Sequence, residues 1–161
     1  MTRFLTISIV GIIIGAAPYG SYGQSENALT FPQVDSLQQI ERKPMLVFIH
    51  TDWCRYCRAM ENATFQDEAV VPWLDSAFYF VSLDAEARQE IRVQGQTFGY
   101  QPTGQGTGQH ELAQVLASVD GTVTFPTLCF LNEDYEIVYQ QVGFVDAARL
   151  AAMLQAIHGS I

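Results

Sequence analysis

The chain has 161 residues, of which 48% are hydrophobic and 16% are charged, a composition that supports a sizeable core and excludes a largely disordered chain. Its length predicts one compact domain plus any targeting segment. The 17 acidic and 8 basic residues give a formal net charge of −9 and form no Lys/Arg cluster. We therefore expect neither nucleic acid nor an anionic membrane surface as a partner, because both are bound through concentrated positive charge.

The N-terminus has the order of features that is typical of a secretory signal peptide. Arg3 gives a basic start, an apolar run extends from Phe4 to Ala17, and Ser21-Tyr22-Gly23 places small residues before a cleavage point. The apolar run is shorter than the roughly 20 residues that a membrane-spanning helix needs. We expect residues 1–23 to be removed and residues 24–161 to be exported to the periplasm or secreted. An uncleaved membrane anchor is the alternative.

The mature part alternates helical and strand patterns along the chain. Apolar residues at helical spacing predict helices that begin at or near Phe31, Cys54, Asp67, His110 and Asp146. We expect the first of these helices to include Ile40, and Asp67 to cap the third. Continuous apolar runs predict strands at 45–49, 78–83, 127–131 and 135–142, the last two as an antiparallel hairpin. This order predicts an α/β domain in which helices flank a mixed central sheet.

Residues 86–109 depart from this alternation. Ile91–Val93 and Thr97–Tyr100 flank Gln94-Gly95-Gln96, which predicts a hairpin with Gly95 at its turn. The stretch 102–108 is rich in glycine, which is typical of a flexible loop. We expect 86–109 to be an insertion within the mature domain that alters the surface near a functional site.

The number and spacing of the cysteines indicate redox chemistry. A small exported domain held together by disulfides usually has four, six or eight cysteines, whereas this chain has three. Cys54 and Cys57 form a C-x-x-C motif between a buried strand and a helix. Cys129 lies in the middle of a predicted strand, which is typical of an inert core thiol.

The position of the C-x-x-C motif gives its two thiols different roles. At the start of a helix, Cys54 lies beside unpaired backbone N–H groups and the positive end of the helix dipole, which favour the thiolate. Arg55 adds a positive charge that tunes the thiol pKa in the same direction. Because the thiolate is the nucleophile of disulfide exchange, we expect Cys54 to attack and Cys57 to resolve the mixed disulfide.

Two motifs resemble a known family. Asp52-Trp53-Cys54-Arg55-Tyr56-Cys57 resembles the active site of thioredoxin, and Phe125-Pro126-Thr127 resembles the thioredoxin loop in which a cis-proline precedes a buried strand. Gly143 resembles the glycine that follows the last strand. The longer pattern, which includes His110-Glu111-Leu112-Ala113, is similar to exported bacterial thioredoxin-like proteins of the Bacteroidetes type. The resemblance extends from Met45 to the C-terminus, apart from the insertion.

The resemblance implies a thioredoxin-like fold and a thiol–disulfide oxidoreductase. It implies no cofactor besides the redox-active Cys54–Cys57 disulfide, and no metal. It also implies that the side chains around this disulfide contact the substrate; these are Trp53, Tyr56, Phe125 and Pro126. The expected partners are protein thiols or disulfides and a membrane thiol carrier that donates electrons, and we expect the chain to be a monomer.

The sequence departs from thioredoxin at the site itself. The residues between the cysteines are Arg55-Tyr56 instead of Gly-Pro, and this pair affects the redox potential. Phe48 stands where thioredoxins usually have a buried Asp that is thought to assist proton transfer at the second cysteine. His50 lies two residues along the same strand and so on the same face, where it could tune a cysteine or simply pack.

Two other classes of function remain open at this point. A C-x-x-C motif with a histidine can bind copper or zinc, although structural zinc usually needs four ligands and only two are adjacent here. A non-catalytic chaperone or binding module would use the insertion for recognition, but it has no need to keep both Cys54 and Cys57. Within the enzyme hypothesis, Arg55 favours an oxidant, whereas the family resemblance favours a reductase. We expect a reductase.

Overall fold

The structure is a computed structural model that describes residues 28–160, so the predicted signal peptide lies outside the described residues. The helices are α1 (Phe31–Leu37), α2 (Arg55–Asn62), α3 (Val71–Ser76), α4 (Glu111–Leu116) and α5 (Ala147–His158), with a 3₁₀ turn at Thr64–Gln66. The strands are β1 (Met45–His50), β2 (Tyr79–Asp84), β3 (Ile91–Val93), β4 (Gln96–Phe98), β5 (Tyr100–Pro102), β6 (Gly108–His110), β7 (Ser118–Val119), β8 (Thr122–Val123), β9 (Thr127–Leu131) and β10 (Ile137–Val142). Within the described range, no helix is long and apolar enough to cross a membrane.

A four-stranded sheet with the order β10-β9-β1-β2 forms the centre of the fold. β1 pairs with β2 in parallel and with β9 in antiparallel orientation, and β9 pairs with β10 antiparallel. Every residue of β1 and of β9 is buried, as their continuous apolar sequences predict. The predicted mixed sheet flanked by helices is therefore confirmed.

The alternation of side chains along β1 separates two cores. Met45, Val47 and Ile49 face α1 and α4 on one side of the sheet. Leu46 and Phe48 face the other side, in a cluster that also contains Cys54, Cys57, Met60 of α2, and Leu150 and Leu154 of α5. The C-x-x-C motif is thus packed onto one defined face of the central strand.

Two predicted helix boundaries were wrong. α1 ends at Leu37, and Ile40 is 84% exposed beyond it. The side chain of Gln38 accepts a hydrogen bond from the Lys43 N–H (3.0 Å) and donates one to the Lys43 carbonyl (2.7 Å), which closes a loop instead of extending the helix. Asp67 does not cap α3, because its carboxylate accepts the N–H of Ala69 in a turn that precedes that helix.

The segment from 86 to 109 forms two hairpins. The first joins β3 and β4 through Gln94 and Gly95, both with positive φ (48° and 82°), a turn that favours glycine at the second position, as predicted. The prediction of a loop over 102–108 was wrong at its ends, where Pro102 and Gly108 pair as part of a second hairpin, β5–β6. A third hairpin, β7–β8, follows α4 and was not predicted.

His110 ties the second hairpin to the rest of the domain. Its side chain is fully buried at the N-terminus of α4, where Nδ1 accepts the Leu112 N–H (3.2 Å) and Nε2 lies 3.2 Å from the Gln89 carbonyl. These partners require a neutral ring with the proton on Nε2. Burial lowers the pKa of His110 below its usual range, against opposing effects of the Gln89 hydrogen bond and of the Glu111 and Asp84 carboxylates.

We predict that His110 makes the domain less stable as the pH falls. Because its folded pKa is lowered, the unfolded chain binds a proton that the folded chain does not, and stability is lost as the pH drops below about 6.5. His110→Asn keeps an acceptor for the helix but removes the titrating ring. It should cost about 1–3 kcal/mol at pH 8, and the cost should shrink at pH 5. Urea unfolding at pH 8 and pH 5 measures the free energy of unfolding of each variant, and His158→Asn, at an exposed position, is the control. An equal loss of stability in His110→Asn at the two pH values would contradict the prediction.

Candidate active site

The Cys54–Cys57 disulfide lies at the start of α2. The two Cα atoms are 5.2 Å apart, within the normal range for a disulfide. Cys54 is the N-cap residue of α2, and its sulfur accepts a hydrogen bond from the Cys57 N–H at 3.1 Å. The Cys54 sulfur is therefore held where the unpaired N–H groups of the helix and its positive dipole end converge.

The short link from β1 to α2 produces this placement. β1 ends at His50, and the Cys54 N–H then donates to the Thr51 carbonyl (3.1 Å) in a tight turn. The Cys54 carbonyl accepts from Arg58, which starts the helical hydrogen bonds. Cys54 is 5% exposed and Cys57 is 1% exposed. Both residues are buried, and Cys54 is the less buried of the two.

Four aromatic side chains surround the motif in two pairs. Trp53 meets Phe125 edge to face with ring centroids 6.2 Å apart, and Tyr56 lies 6.4 Å from Phe144. Trp53 is 65% exposed, and its indole N–H donates to the Glu86 carboxylate at 3.2 Å. The structure therefore brings Trp53, Tyr56 and Phe125, predicted as substrate contacts, to one surface beside the disulfide.

The Phe125-Pro126 segment lies beside the same end of the sheet. The peptide bond between the two residues is cis, and Pro126 is buried. Thr127, the first residue of β9, pairs with Ile49 near the end of β1, which brings the loop next to the C-x-x-C turn. The Pro126 carbonyl accepts the N–H of Gly143 (2.8 Å), a residue whose φ of 87° favours glycine.

Arg55 and His50 make contacts that bear on their predicted tuning roles. The Arg55 guanidinium lies 4.9 Å from the centre of the Tyr56 ring and donates to its hydroxyl at 3.1 Å. The guanidinium therefore makes a cation–π contact with an exposed ring at the edge of the site. The His50 ring stacks on Phe48 with centroids 5.1 Å apart, and its Nε2 lies 2.9 Å from the Ser82 hydroxyl.

The titration of His50 is set by its burial. Burial lowers the pKa of His50 below its usual range, while negative charge on Asp84 and Asp52 opposes the change. The ring is therefore neutral at pH 7. It packs as part of the core and hydrogen-bonds a serine, so its role in tuning a cysteine stays a prediction.

The core beneath the disulfide is aromatic. Phe48 contacts Phe65 edge to face at 4.8 Å, and Phe65 lies 4.9 Å from Phe80. These rings belong to the same cluster as Cys54 and Cys57. Within residues 28–160, no group of three or more His, Cys, Asp or Glu side chains is arranged to hold a metal ion.

Comparison with known proteins identifies the family. Residues 32–158 match the thioredoxin-like domain family. The chain belongs to this family. The family resemblance and the fold inferred from the sequence are both confirmed, and the domain has the C-x-x-C pair, at disulfide distance, of a thiol–disulfide oxidoreductase.

Solved structures share the thioredoxin-like fold at low sequence identity. A thioredoxin from Thermus thermophilus is 22% identical with a TM-score of 0.58, and the match covers 83% of this chain and 88% of that one. DsbH oxidoreductase is 18% identical with a TM-score of 0.54, covering 89% and 94%. A disulphide isomerase from Xylella fastidiosa is 17% identical with a TM-score of 0.51, covering 88% and 97%. No curated protein sequence matches the chain.

Sequence reasoning missed two residues of this thioredoxin-like site. The Glu86 carboxylate accepts a hydrogen bond from the indole of Trp53, and Phe144 pairs with Tyr56. Phe144 could have been found because it follows Gly143. The contact of Glu86 joins residues too far apart for any local pattern to indicate it.

We predict that the thiols of the reduced domain differ sharply in reactivity. Iodoacetamide at pH 7 should modify Cys54 at least about 10-fold faster than Cys57, because the helix start favours the Cys54 thiolate and Cys54 is the less buried of the two. Cys129 should stay unmodified in the folded protein, since burial raises its pKa to about 12. Peptide mass spectrometry of timed samples measures the three rates. All three should react in urea, and early modification of Cys57 or Cys129 without it would contradict the assignment.

Proposed function

We propose that the chain is an exported thiol–disulfide oxidoreductase that reduces disulfides in other exported proteins. The observation that supports this most is the position of Cys54 at the N-terminus of α2, beside the Phe125-Pro126 loop and between two pairs of aromatic rings. A thiolate at a helix start next to exposed apolar rings suits a protein substrate, whose chain offers apolar side chains around its disulfide.

The reaction uses the two cysteines in turn. The Cys54 thiolate attacks one sulfur of the substrate disulfide, which forms a mixed disulfide and releases the other substrate sulfur as a thiolate that takes up a proton. Cys57 then loses its proton and attacks the Cys54 sulfur. The bond between Cys54 and the substrate breaks, and the second substrate sulfur leaves as a thiol. Two electrons have moved from the Cys54/Cys57 dithiol to the substrate, and the Cys54–Cys57 disulfide remains.

The direction of exchange depends on how far the protein stabilises the reduced motif. Stabilising the Cys54 thiolate stabilises the reduced form and makes a pair more oxidising. Arg55 is the side chain expected to add to that effect, but its guanidinium is held on the exposed Tyr56 ring. Because both side chains are exposed, solvent screens the charge of Arg55, so Arg55 is only a weak argument for an oxidant. The family resemblance favours a reductase. The similar proteins comprise a thioredoxin and a disulphide isomerase, so their names do not select a direction.

A reductase outside the cytoplasm needs a continuous supply of electrons. The sequence pattern of residues 1–23 supports export. The net charge of −9 disfavours electrostatic binding of the domain to an anionic bilayer. We propose that a membrane thiol carrier re-reduces the Cys54–Cys57 disulfide, and that the domain acts as a monomer on protein substrates. The copper- or zinc-handling alternative rests on the two cysteines with a histidine, and residues 28–160 bring no three such ligands together.

We predict that Cys57→Ser traps substrates covalently, because the mixed disulfide at Cys54 can no longer be resolved. The full-length variant, expressed with its own N-terminus, should be recovered from the exported fraction in disulfide-linked complexes that dithiothreitol releases. Mass spectrometry should identify protein partners and a mature chain that starts at Gln24.

Wild type should reduce insulin disulfides in the presence of dithiothreitol. Cys54→Ser should reduce them at least about 100-fold more slowly, because it lacks the attacking thiol.

Cys129→Ala is the matched control for these cysteine variants, because Cys129 is a buried thiol in the core on the other face of the sheet from the motif. It should behave as wild type in both assays. The proposal fails if Cys57→Ser yields no covalent complexes while Cys54→Ser keeps full activity on insulin. A chain recovered from the cytoplasm with residues 1–23 intact would refute export but leave the chemistry standing.

A further inference from the structure

The outer edge of β2 is only partly covered in this fold. β2 is the last strand of the central sheet, and on the side away from β1 its one strand partner among the described residues is Leu29, which bridges to Val81 in parallel orientation. The Leu29 N–H donates to the Phe80 carbonyl at 2.8 Å. α1 then begins at Phe31 and takes the chain away from the strand, so the segment before α1 covers the edge no further than this bridge.

The uncovered part of this edge holds backbone groups that a further strand can use. Tyr79 donates its N–H inward, to the Pro44 carbonyl just before β1 (2.9 Å). Because backbone groups alternate between the two edges of a strand, Ser82 and Asp84 turn theirs outward. Past the bridge, the next groups on the outer edge are the Ser82 carbonyl and the Asp84 N–H. An edge of this kind is a template for pairing with another chain.

A groove of about 270 Å³ lies along this part of the edge, between the start of α1 and the first residues of the insertion. Its apolar lining consists of Phe31, Pro32, Val81, Leu83, Ala87 and Ile91. Phe31, Val81 and Leu83 are buried and form the floor, whereas Pro32 is exposed at the rim. A strand added to the edge of β2 would therefore place alternate side chains over an apolar floor.

The charged residues that line the groove are both acidic. They are Asp84 and Glu90, and no described residue in the lining is a lysine or an arginine. Arg88, from the same segment of the insertion, lies 5.1 Å from the centre of the Tyr100 ring instead. A segment that binds in the groove therefore needs a positive charge to complement these carboxylates.

The groove lies at the same end of the sheet as the disulfide. Asp84 pairs with His50, the last residue of β1 and four residues before Cys54. Two residues after Asp84, the Glu86 carboxylate accepts the indole N–H of Trp53. A protein held on the edge of β2 would be kept beside the C-x-x-C motif, on a surface separate from the two aromatic pairs.

We propose that this groove is a docking site for an extended segment of a partner protein in which a lysine or arginine stands beside apolar residues. The segment pairs with the Ser82 carbonyl and the Asp84 N–H as an added strand. Its apolar side chains cover the floor of the groove, and its cation lies near the Asp84 and Glu90 carboxylates. The inference goes beyond the proposed oxidoreductase function, because docking of this kind uses neither cysteine.

The test measures binding of three labelled peptides to the oxidised mature domain by fluorescence anisotropy. The first peptide alternates valine with polar residues and carries two lysines, the second has glutamates in place of the lysines, and the third has prolines in place of its central valines. None of them contains cysteine, so disulfide exchange cannot contribute. Proline lacks the N–H that strand pairing needs, so the third peptide keeps the charge and loses the pairing.

Three variants of the domain locate the binding site. Glu90→Lys reverses a charge in the groove, and Ala87→Leu fills the groove without changing its charge. Glu68→Lys is the matched control, because Glu68 is an exposed acid outside the lining of the groove.

The lysine peptide should bind wild type saturably, and the glutamate and proline peptides should bind at least about 10-fold more weakly. Glu90→Lys should weaken binding of the lysine peptide at least about 5-fold at low salt. That difference should shrink in about 1 M salt, where charges are screened within about 3 Å. Ala87→Leu should weaken binding at either salt concentration, and Glu68→Lys should change it less than about twofold.

The inference is overturned if the lysine peptide does not bind saturably, or if all three peptides bind equally, which would show nonspecific adsorption. An equal loss in Glu90→Lys and Glu68→Lys shows a general charge effect and also overturns it. A dimer of the domain that Ala87→Leu dissociates would assign the groove to a second copy of the chain, which contradicts the inference as well. Failure of Cys57→Ser to trap substrates would count against the oxidoreductase function and leave the peptide result unchanged.

Discussion

The burial of β1 between β2 and β9 is the constraint on which the site depends. All six residues of β1 are buried, and both neighbouring strands pair along it, so the strand has one register and its end has one position. The chain leaves the sheet at His50 and reaches the helix cap at Cys54 four residues later. Because Thr127 of β9 pairs with Ile49, the same register places the Phe125-Pro126 loop beside the motif. A slip of one residue would turn Phe48 to the other face and separate both halves of the site.

The parts of the structure that the sequence predicted are those with a strong local signal. The apolar runs of β1 and β9, the placement of Cys54 at a helix start and the capping of α5 by Asp146 each rest on neighbouring residues alone. The end of α1 was missed because Ile40 continues the helical spacing, whereas the hydrogen bonds between Gln38 and Lys43 turn the chain away. Hydrophobic periodicity indicates which face of a helix would be buried, but it does not reveal a side-chain hydrogen bond that ends the helix.

The side-chain contacts at the site could not be predicted from the sequence for a different reason. The indole of Trp53 donates to Glu86 in the loop after β2, and Tyr56 pairs with Phe144 beyond the last strand of the sheet. These pairs are separated by tens of residues, and only the packed sheet brings them together. The hairpin β7–β8 was missed because each strand has two residues, too few to show an alternating pattern.

The two cysteines belong to one buried cluster, but they differ in their position on α2. The Cys54 sulfur accepts the Cys57 N–H at the start of the helix, which favours its thiolate, whereas Cys57 lies within the first turn and is almost completely buried. Stabilisation of the first thiolate favours the reduced pair, and burial of the second thiol limits that gain. Arg55 lies on the exposed Tyr56 ring, where solvent screens its charge, so we expect the helix to contribute most of the stabilisation of the Cys54 thiolate.

The most direct test of the reductase is the reduction potential of the Cys54–Cys57 pair. The mature domain would be equilibrated in glutathione and dithiothreitol buffers of known potential and its thiols trapped and counted, with Cys129→Ala as the control for the third cysteine. If the domain is a reductase, the reduction potential of the Cys54–Cys57 pair should lie near that of thioredoxin, roughly −270 mV. A potential nearer roughly −120 mV would contradict the proposed direction and mark the domain as a disulfide donor.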